Sequence, residues 1–243
     1  MRLPCFPLHV VLFPHLPLPI HVFEERYRAM ARDVVGRESR YGGRFVVAMI
    51  SGGAEVGDRP EQEARTHRVG TIVEVRRAEQ FADGRWAILA VGLARARLGA
   101  VDRSGPYAVV DADELPDDGG DAGAARSLLP AVQAALDAYL VTVKRFVASA
   151  ASMGAESQEI TDVAASLDDV LKPIRLPDDP LAASYAVGGV LQIELSRKQQ
   201  LLELPDAASR LRAELELLRR EARLLSEGAM PPVSTSDLRY HPN

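Results

Sequence analysis

The chain opens with Leu3-Pro-Cys-Phe-Pro-Leu-His-Val-Val-Leu-Phe-Pro-His-Leu-Pro-Leu-Pro-Ile-His-Val-Phe-Glu-Glu-Arg-Tyr27, an apolar stretch around which the remaining sequence is arranged. Its five prolines stand at positions 4, 7, 14, 17 and 19. Each proline removes a backbone donor and holds the preceding residue in an extended conformation, so the stretch is neither one helix nor one long strand. We predict short extended pieces joined by bends, at a sheet edge or closing a small barrel.

The composition is that of an ordinary globular protein. With 243 residues, 47% of them hydrophobic and 26% charged, the chain can form one large or two modest domains. Residues 1–115 contain 16 Arg against 15 Asp and Glu, so this half has no basic surface and nucleic acid is not expected as a partner. The single cysteine, Cys5, excludes an internal disulfide and a cysteine-rich zinc site.

No basic segment precedes a signal-length apolar run, and the prolines interrupt residues 3–20 before they could span a bilayer. We therefore expect a cytoplasmic protein without membrane contact.

Several local patterns predict the first elements. Apolar residues at 23, 27, 30 and 34 predict a helix that starts at Phe23 and ends at Gly36. The apolar run 45–50 predicts a strand covered on both faces, and the polar residues 51–66 predict a loop.

An alternating strand starts at Val69 and leads to Asp83-Gly84, a pair typical of a two-residue type I′ hairpin turn. Such a turn would place Phe81 opposite Trp86. The return strand changes the side of its apolar residues at Gly92, which predicts a bulge there, and a further strand follows at 107–111.

The acidic, glycine-rich residues 111–123 predict a domain boundary, after which helical spacing begins. We predict helices from 128 to about 151, from Thr161 to Leu171, from Asp179-Pro180 to Leu204, and after Asp206 as an N-cap. The last helix has a heptad spacing that fits either a coiled-coil seam or the buried face of its own bundle. The apolar residues at this heptad spacing are Leu211, Leu215, Leu218, Ala222 and Leu225.

A set of short motifs runs along the chain: Phe6-Pro7-Leu8, Leu12-Phe13-Pro14, Leu16-Pro17-Leu18-Pro19-Ile20, Phe23-Glu24-Glu25-Arg26-Tyr27, Val69-Gly70-Thr71, Asp83-Gly84-Arg85, Gly92, Arg95 and Pro106-Tyr107. In their order these motifs resemble the Lon protease N-terminal domain, with a one-residue difference in spacing between Ile20 and Phe23. Residues 198–203 and Arg210-Leu211 resemble its helical part, so the resemblance covers about residues 2–225. His15 departs from the family pattern, in which glycine is usual.

The resemblance implies an α+β protein with a PUA-like antiparallel β pseudo-barrel containing one helix, followed by a C-terminal α-helical bundle. We predict a β-rich subdomain at 1–115, a helical subdomain at 124–226 and a tail at 227–243. The implied protein is a bacterial, stand-alone, non-catalytic substrate-recognition domain that acts as an adaptor or holdase.

Motifs for catalysis are missing from the sequence. Gly52 and Gly57 have phosphate-loop spacing, but Asp58-Arg59 follows where Lys-Ser or Lys-Thr is needed. There is no Gly-x-Ser-x-Gly elbow, and no serine motif accompanies the lysines. His9, His15 and His21 are six residues apart, about 20 Å if extended, so no metal site is expected. We expect no enzyme activity and no cofactor.

The candidate polypeptide-binding residues are Phe13, Leu16, Phe81 and Trp86, because apolar groups on loops and hairpin tips suit extended chains. The alternative is that they fill the seam between the subdomains. The expected partners are unfolded or damaged polypeptides, a separate protease or chaperone, and a second copy through the C-terminal helix. Two other functions stay open: RNA binding by a PUA-like protein, and a protein-interaction module that uses the helical bundle without binding substrate.

Overall fold

The structure, a computed structural model, describes residues 1–36, 39–52, 65–117, 119–153 and 174–227. The chain divides into two compact units. Of the described residues, the first unit comprises those of Met1–Asp118 together with Glu194–Leu204, and the second comprises those of Gly119–Ile193 together with residues 205–227.

The first unit contains seven strands and two helices in its described part. The strands are β1 (Arg2–Leu8), β2 (Pro17–Val22), β3 (Arg44–Gly52), β4 (Arg65–Thr66), β5 (Val69–Gln80), β6 (Trp86–Asp102) and β7 (Val109–Glu114). Helix α1 (Glu25–Val34) follows β2, and the later helix α4 (Leu195–Glu203) belongs to the same unit.

Five of the strands close into a barrel. Their order is β1-β7-β6-β5-β3, and β3 pairs back to β1, so the sheet returns to its first strand. The β1–β3 pair is parallel and the other pairs are antiparallel. Strand β2 adds to the first half of the long β6, and β4 adds to the end of β3. The predicted α+β fold with a pseudo-barrel is confirmed.

Two apolar cores lie on the two faces of this sheet. One contains Leu3, Cys5 and Val46, and the other contains Phe6, Phe45 and the buried side of α1. Because β1 and β3 contribute alternate residues to each core, both strands are covered on two faces. This arrangement confirms the prediction for residues 45–50.

Helix α1 begins at Glu25 and not at Phe23. Strand β2 still pairs with β6 at Val22, so the backbone is extended where the apolar spacing would start the helix. Tyr27, Met30 and Val34 are buried as predicted. Phe23 lies outside the helix and is 39% exposed.

The described part of the second unit consists of α2 (Ala122–Met153), α3 (Pro180–Val190) and α5 (Ala207–Ser226). Asp179 accepts a hydrogen bond from the backbone N–H of Ala182 at 2.9 Å, and Asp206 caps α5 by accepting from Ser209. The cap at Asp206 was predicted, and Asp179 stands at the predicted start of α3. The helix predicted at 161–171 lies outside the described residues, as does the tail beyond Glu227.

The single helix predicted from Pro180 to Leu204 is wrong, because the chain is not helical between Leu191 and Glu194. Leu191 and Ile193 are 0% and 1% exposed, so apolar side chains remain buried across the break although the backbone there is not helical. In the last helix the heptad residues Leu211 and Leu218 are both 0% exposed, so the predicted seam is largely buried within its own unit.

Candidate functional site

The loop of Leu12–Leu16 is fixed to the barrel. The hydroxyl of Thr71 donates to the carbonyl oxygen of Leu12 at 2.5 Å, and the Gly92 N–H donates to the carbonyl oxygen of Leu16 at 3.0 Å. Phe13 is 0% exposed. This side chain, predicted to bind polypeptide, is therefore a core residue that holds the loop in place.

The bulge predicted near Gly92 occurs there. Ile72 pairs with Ala94 and Val73 pairs with Gly92, which leaves Leu93 as the extra residue of β6. A Cβ atom at position 92 would lie 2.7 Å from the carbonyl oxygen of Phe13. Glycine is required at this position because the loop backbone approaches β6 too closely for any side chain.

His15 adopts a left-handed backbone conformation with φ of 68°. This is the position at which the family pattern has glycine, the residue with no Cβ penalty in that conformation. Although this chain has histidine where the family has glycine, the turn keeps the left-handed backbone conformation that favours glycine.

The hairpin between β5 and β6 has a longer turn than the predicted one. The N–H of Phe81 donates to the carbonyl oxygen of Arg85 at 2.9 Å, and the N–H of Gly84 donates to the carbonyl oxygen of Phe81 at 2.9 Å. These bonds enclose a loop of three residues, 82–84. Within this loop only Gly84 has a positive φ, of 84°. A three-residue loop shifts the register, so the predicted pairing of Phe81 with Trp86 is wrong.

Trp86 instead pairs with Gln80 on one side and Val22 on the other. Its half-buried indole packs against the core under α1, as does the half-buried Leu16. Neither residue presents a fully exposed apolar surface, so of the four sequence candidates only Phe81, which is 38% exposed, lies open to solvent.

Phe81 belongs to an apolar surface on the opposite face of β2, β6 and β5. Pro19 lies across from Leu89 and His21 lies across from Ala87, so their side chains share one face. The ring of Phe81 stacks on His21 with centroids 5.7 Å apart and planes at 17°. Leu89 is 39% exposed. We call Pro19, His21, Phe81, Ala87 and Leu89 the outer-face patch.

Charged groups of both signs border this patch. Arg77 of β5 pairs with Leu89, and Glu79 pairs with Ala87, so both point to the same face. At the hairpin the guanidinium of Arg85 lies 6.0 Å from the Phe81 ring and 2.7 Å from the carboxylate of Asp83. An apolar centre with a polar rim of mixed sign is the usual composition of a surface that docks another chain.

A concavity elsewhere on the barrel, of about 360 Å³, is lined by two cationic side chains, Arg2 and Arg40, and by two carboxylates, Asp33 and Asp102. Arg2 contacts Asp102 at 2.7 Å, and the Tyr107 hydroxyl donates to Asp33. Burial and this hydrogen bond raise the pKa of Tyr107 above its ordinary value. Charge therefore favours neither an anion nor a cation there.

In the described ranges no three His, Cys, Asp or Glu side chains are grouped so as to hold a metal ion. None of the helices within those ranges is both long and apolar enough to cross a bilayer.

The sequence patterns did not single out Pro19, His21, Ala87 and Leu89, which the structure places with Phe81 in the outer-face patch. The period-two alternation of β6 puts Ala87 and Leu89 on one side, which is a usable signal. Which side faces solvent depended on the pairing with β2, and local sequence does not contain that information.

Solved structures share this fold. The N-terminal domain of the Mycobacterium avium complex Lon protease covers 90% of this chain and 98% of its own, with a TM-score of 0.58 and 19% identity. A Lon N-terminal domain protein from Xanthomonas campestris covers 89% of this chain and 98% of its own, with a TM-score of 0.52 and 20% identity. The fold is thus that of Lon N-terminal domains.

Residues 2–220 match the family model of the ATP-dependent protease La (LON) substrate-binding domain, and the chain belongs to this family. Lon protease 2 of Syntrophobacter fumaroxidans is 26% identical over 203 residues, which cover 84% of this chain and 22% of the relative. Lon protease of Trichlorobacter lovleyi is 26% identical over 226 residues, 92% of this chain and 24% of the relative. The chain therefore spans about a quarter of the length of these curated relatives.

Proposed function

We propose that this chain recognises exposed apolar segments of unfolded or damaged polypeptides through the outer-face patch, without catalysis of its own. The observation that carries the proposal is that Phe81 and Leu89 are 38% and 39% exposed on one face of the barrel. Pro19 and His21 join them into one surface. The family description, a substrate-binding domain, supports the same function.

The patch suits a polypeptide for a physical reason. Large apolar side chains that stay in contact with water gain free energy when a partner covers them, about 25 cal/mol per Å² of apolar area. The bordering Arg77, Glu79, Asp83 and Arg85 carry balanced charge, which does not select for a polyanion such as RNA.

The proposal is tested by fluorescence anisotropy with labelled, reduced and carboxymethylated α-lactalbumin as the unfolded probe. We expect Phe81→Ser and Leu89→Ser to weaken binding about tenfold, because each removes an apolar contact worth roughly 1.4 kcal/mol. Val101→Ser is the matched control, since Val101 lies on the same strand and is also 39% exposed but lies outside the patch. Equal losses in all three variants, or no binding by the wild type, would refute the proposal.

The roles beyond binding are part of the same proposal. If the protein is a holdase, we expect the wild type to suppress aggregation of heated citrate synthase and the Leu89→Ser variant to lose this effect. If the protein is an adaptor, we expect it to deliver the probe to a separate protease. Because no catalysis of its own is proposed, we expect no degradation of casein when this protein is incubated alone with ATP.

A homodimer through α5 would have to use surface other than Leu211 and Leu218, which are already buried.

A second copy of the chain could also cover the outer-face patch. Light scattering of the wild type and of Leu89→Ser measures the mass of each protein in solution. A dimer that Leu89→Ser abolishes, combined with absent probe binding, would assign the patch to a second copy of the chain.

A further inference from the structure

We infer that the outer-face patch contacts the side chains of its polypeptide and forms no hydrogen bonds with the polypeptide backbone. It therefore accepts segments that are unable to form a β-strand. This inference rests on the proposed function and concerns the chemical class of segment that is bound. It follows from the hydrogen-bonding state of the strand that borders the patch.

In the part of the chain that the structure describes, β2 pairs with β6 alone, which makes β2 an edge strand beside the patch. An edge strand normally offers a row of unpaired N–H and C=O groups to an incoming chain, and strand addition is a common way to bind extended peptides. The sequence of β2 decides whether that row exists.

The prolines of β2 occupy its outward-facing positions. The Gly92 N–H donates to the Leu16 carbonyl at 3.0 Å, so Leu16 faces β6. Residues along an antiparallel strand alternate between facing and turning away from their partner, so Leu18 and Ile20 also face β6. Pro17 and Pro19 stand at the alternate positions, where an N–H would point away from the sheet.

Proline has no N–H, so two of the three outward positions between 17 and 21 lack a donor. The remaining donor in that interval is the N–H of His21. An added strand would leave two of its carbonyl groups without a partner at this edge, which is costly wherever water is excluded. The outward carbonyls of β2 can still accept hydrogen bonds, but a complete ladder of donors and acceptors along β2 is therefore impossible, while the apolar face beside it stays open.

The patch also limits the length of segment that it contacts. Pro17 to His21 extends about 13 Å, and the three strands beneath the patch are about 10 Å wide. An extended segment of four to five residues covers this surface, with two or three large apolar side chains about 7 Å apart. Segments that contain proline, which strand-adding sites reject, are accepted on this basis.

The test uses three labelled nonapeptides of sequence Lys-Ser-Phe-Ser-Leu-Ser-Phe-Ser-Lys. One is unmodified, one is N-methylated on the amides of the apolar residues, and one is N-methylated on the amides of the internal serines. We expect all three dissociation constants for the wild-type protein to agree within about threefold, because no backbone donor of the peptide is used. A loss of about tenfold or more in either methylated peptide overturns the inference.

The two failures are distinguishable. If the unmodified peptide does not bind, or binds Leu89→Ser equally well, the proposed function fails. If it binds through the patch but methylation abolishes binding, only the inference on the backbone fails.

A variant of the protein provides the reciprocal measurement. Restoring the outward donors with Pro17→Val and Pro19→Val together should make binding of the unmodified peptide tighter and sensitive to methylation. Unchanged, methylation-insensitive binding by the folded double variant would contradict the inference. If that variant does not fold, the peptide comparison on the wild type decides by itself.

Discussion

The guanidinium of Arg95 donates a hydrogen bond of 2.6 Å to the carbonyl oxygen of Leu204. The same group donates to the carbonyl oxygens of Leu202 and Pro116, and lies 3.2 Å from the carboxylate of Asp117. The carbonyls at the end of a helix lack intrahelical partners and carry partial negative charge, so a buried cation is well placed there. Arg95 thereby fastens α4 to strand β6.

We expect Arg95→Ala to lower the free energy of unfolding of the first unit by about 3 to 5 kcal/mol, because it leaves Asp117 and the helix carbonyls without their buried partner. Urea unfolding followed by the fluorescence of Trp86 measures this effect, since Trp86 is the one tryptophan of the chain and lies in that unit. Arg97→Ala, at an exposed position of the same strand, should change stability by less than about 0.5 kcal/mol. Similar effects of the two variants would contradict the role given to Arg95.

Gly92→Ala is expected to destabilise the first unit by about 2 kcal/mol, since the new Cβ would meet the Phe13 carbonyl oxygen at 2.7 Å and the Cα of Pro14 at 3.0 Å. The control is Gly99→Ala on the same strand, where the nearest atom would lie 3.4 Å away and an ordinary contact results. Trp86 fluorescence serves for both. A Gly92→Ala protein as stable as the Gly99→Ala protein would show that the Leu12–Leu16 loop yields easily.

His15→Gly should raise the free energy of unfolding by about 0.5 kcal/mol. Relief of a left-handed conformation contributes about 1 to 2 kcal/mol, and the added chain entropy of glycine offsets about 0.5 to 1 kcal/mol. His15→Val should instead lower stability by about 1 kcal/mol or more, because a branched side chain fits φ of 68° poorly. Thermal melts of the three proteins give the order; a valine variant at least as stable as the glycine variant would argue against backbone strain.

Glu214 of α5 makes the stability of the second unit depend on pH. Its side chain is buried, neither carboxyl oxygen has a hydrogen-bond partner among the described residues, and burial raises its pKa well above the ordinary value. The nearby Arg210 opposes this shift only in part, while one of its nitrogens donates to the Ser184 hydroxyl at 2.9 Å.

Because the folded state holds the proton that the unfolded state releases, this contribution to stability is complete below the ordinary pKa of a glutamate and is lost as pH rises from there through the raised pKa of the folded state. Glu214→Gln should flatten that slope and stabilise the unit at pH 7 by about 1 kcal/mol, since no carboxylate needs to be desolvated. Circular dichroism at 222 nm during urea unfolding at several pH values measures it. Glu216→Gln, an exposed neighbour on the same helix, should keep the wild-type slope, and a wild-type slope in Glu214→Gln would refute the assignment.

Local signals determined much of this protein. The apolar run at 45–50 predicted a strand buried on both faces, the side change at Gly92 predicted the bulge, and Asp179 and Asp206 predicted helix starts. Each of these features depends on residues a few positions apart, whose hydrogen bonds and backbone preferences are fixed by their own chemistry. The proline-punctuated opening, with its motifs, also indicated the family.

Tertiary structure alone decided which of the apolar candidates reach the surface. Phe13 is buried because Gly92 lets the Leu12–Leu16 loop approach β6, and Trp86 turns inward because a three-residue hairpin loop shifts its register. The outer-face patch exists because β2 pairs with β6 and aligns Pro19 with Leu89, which lie 70 residues apart in the chain. Pairing between distant strands sets which face meets water, and no local pattern records that choice.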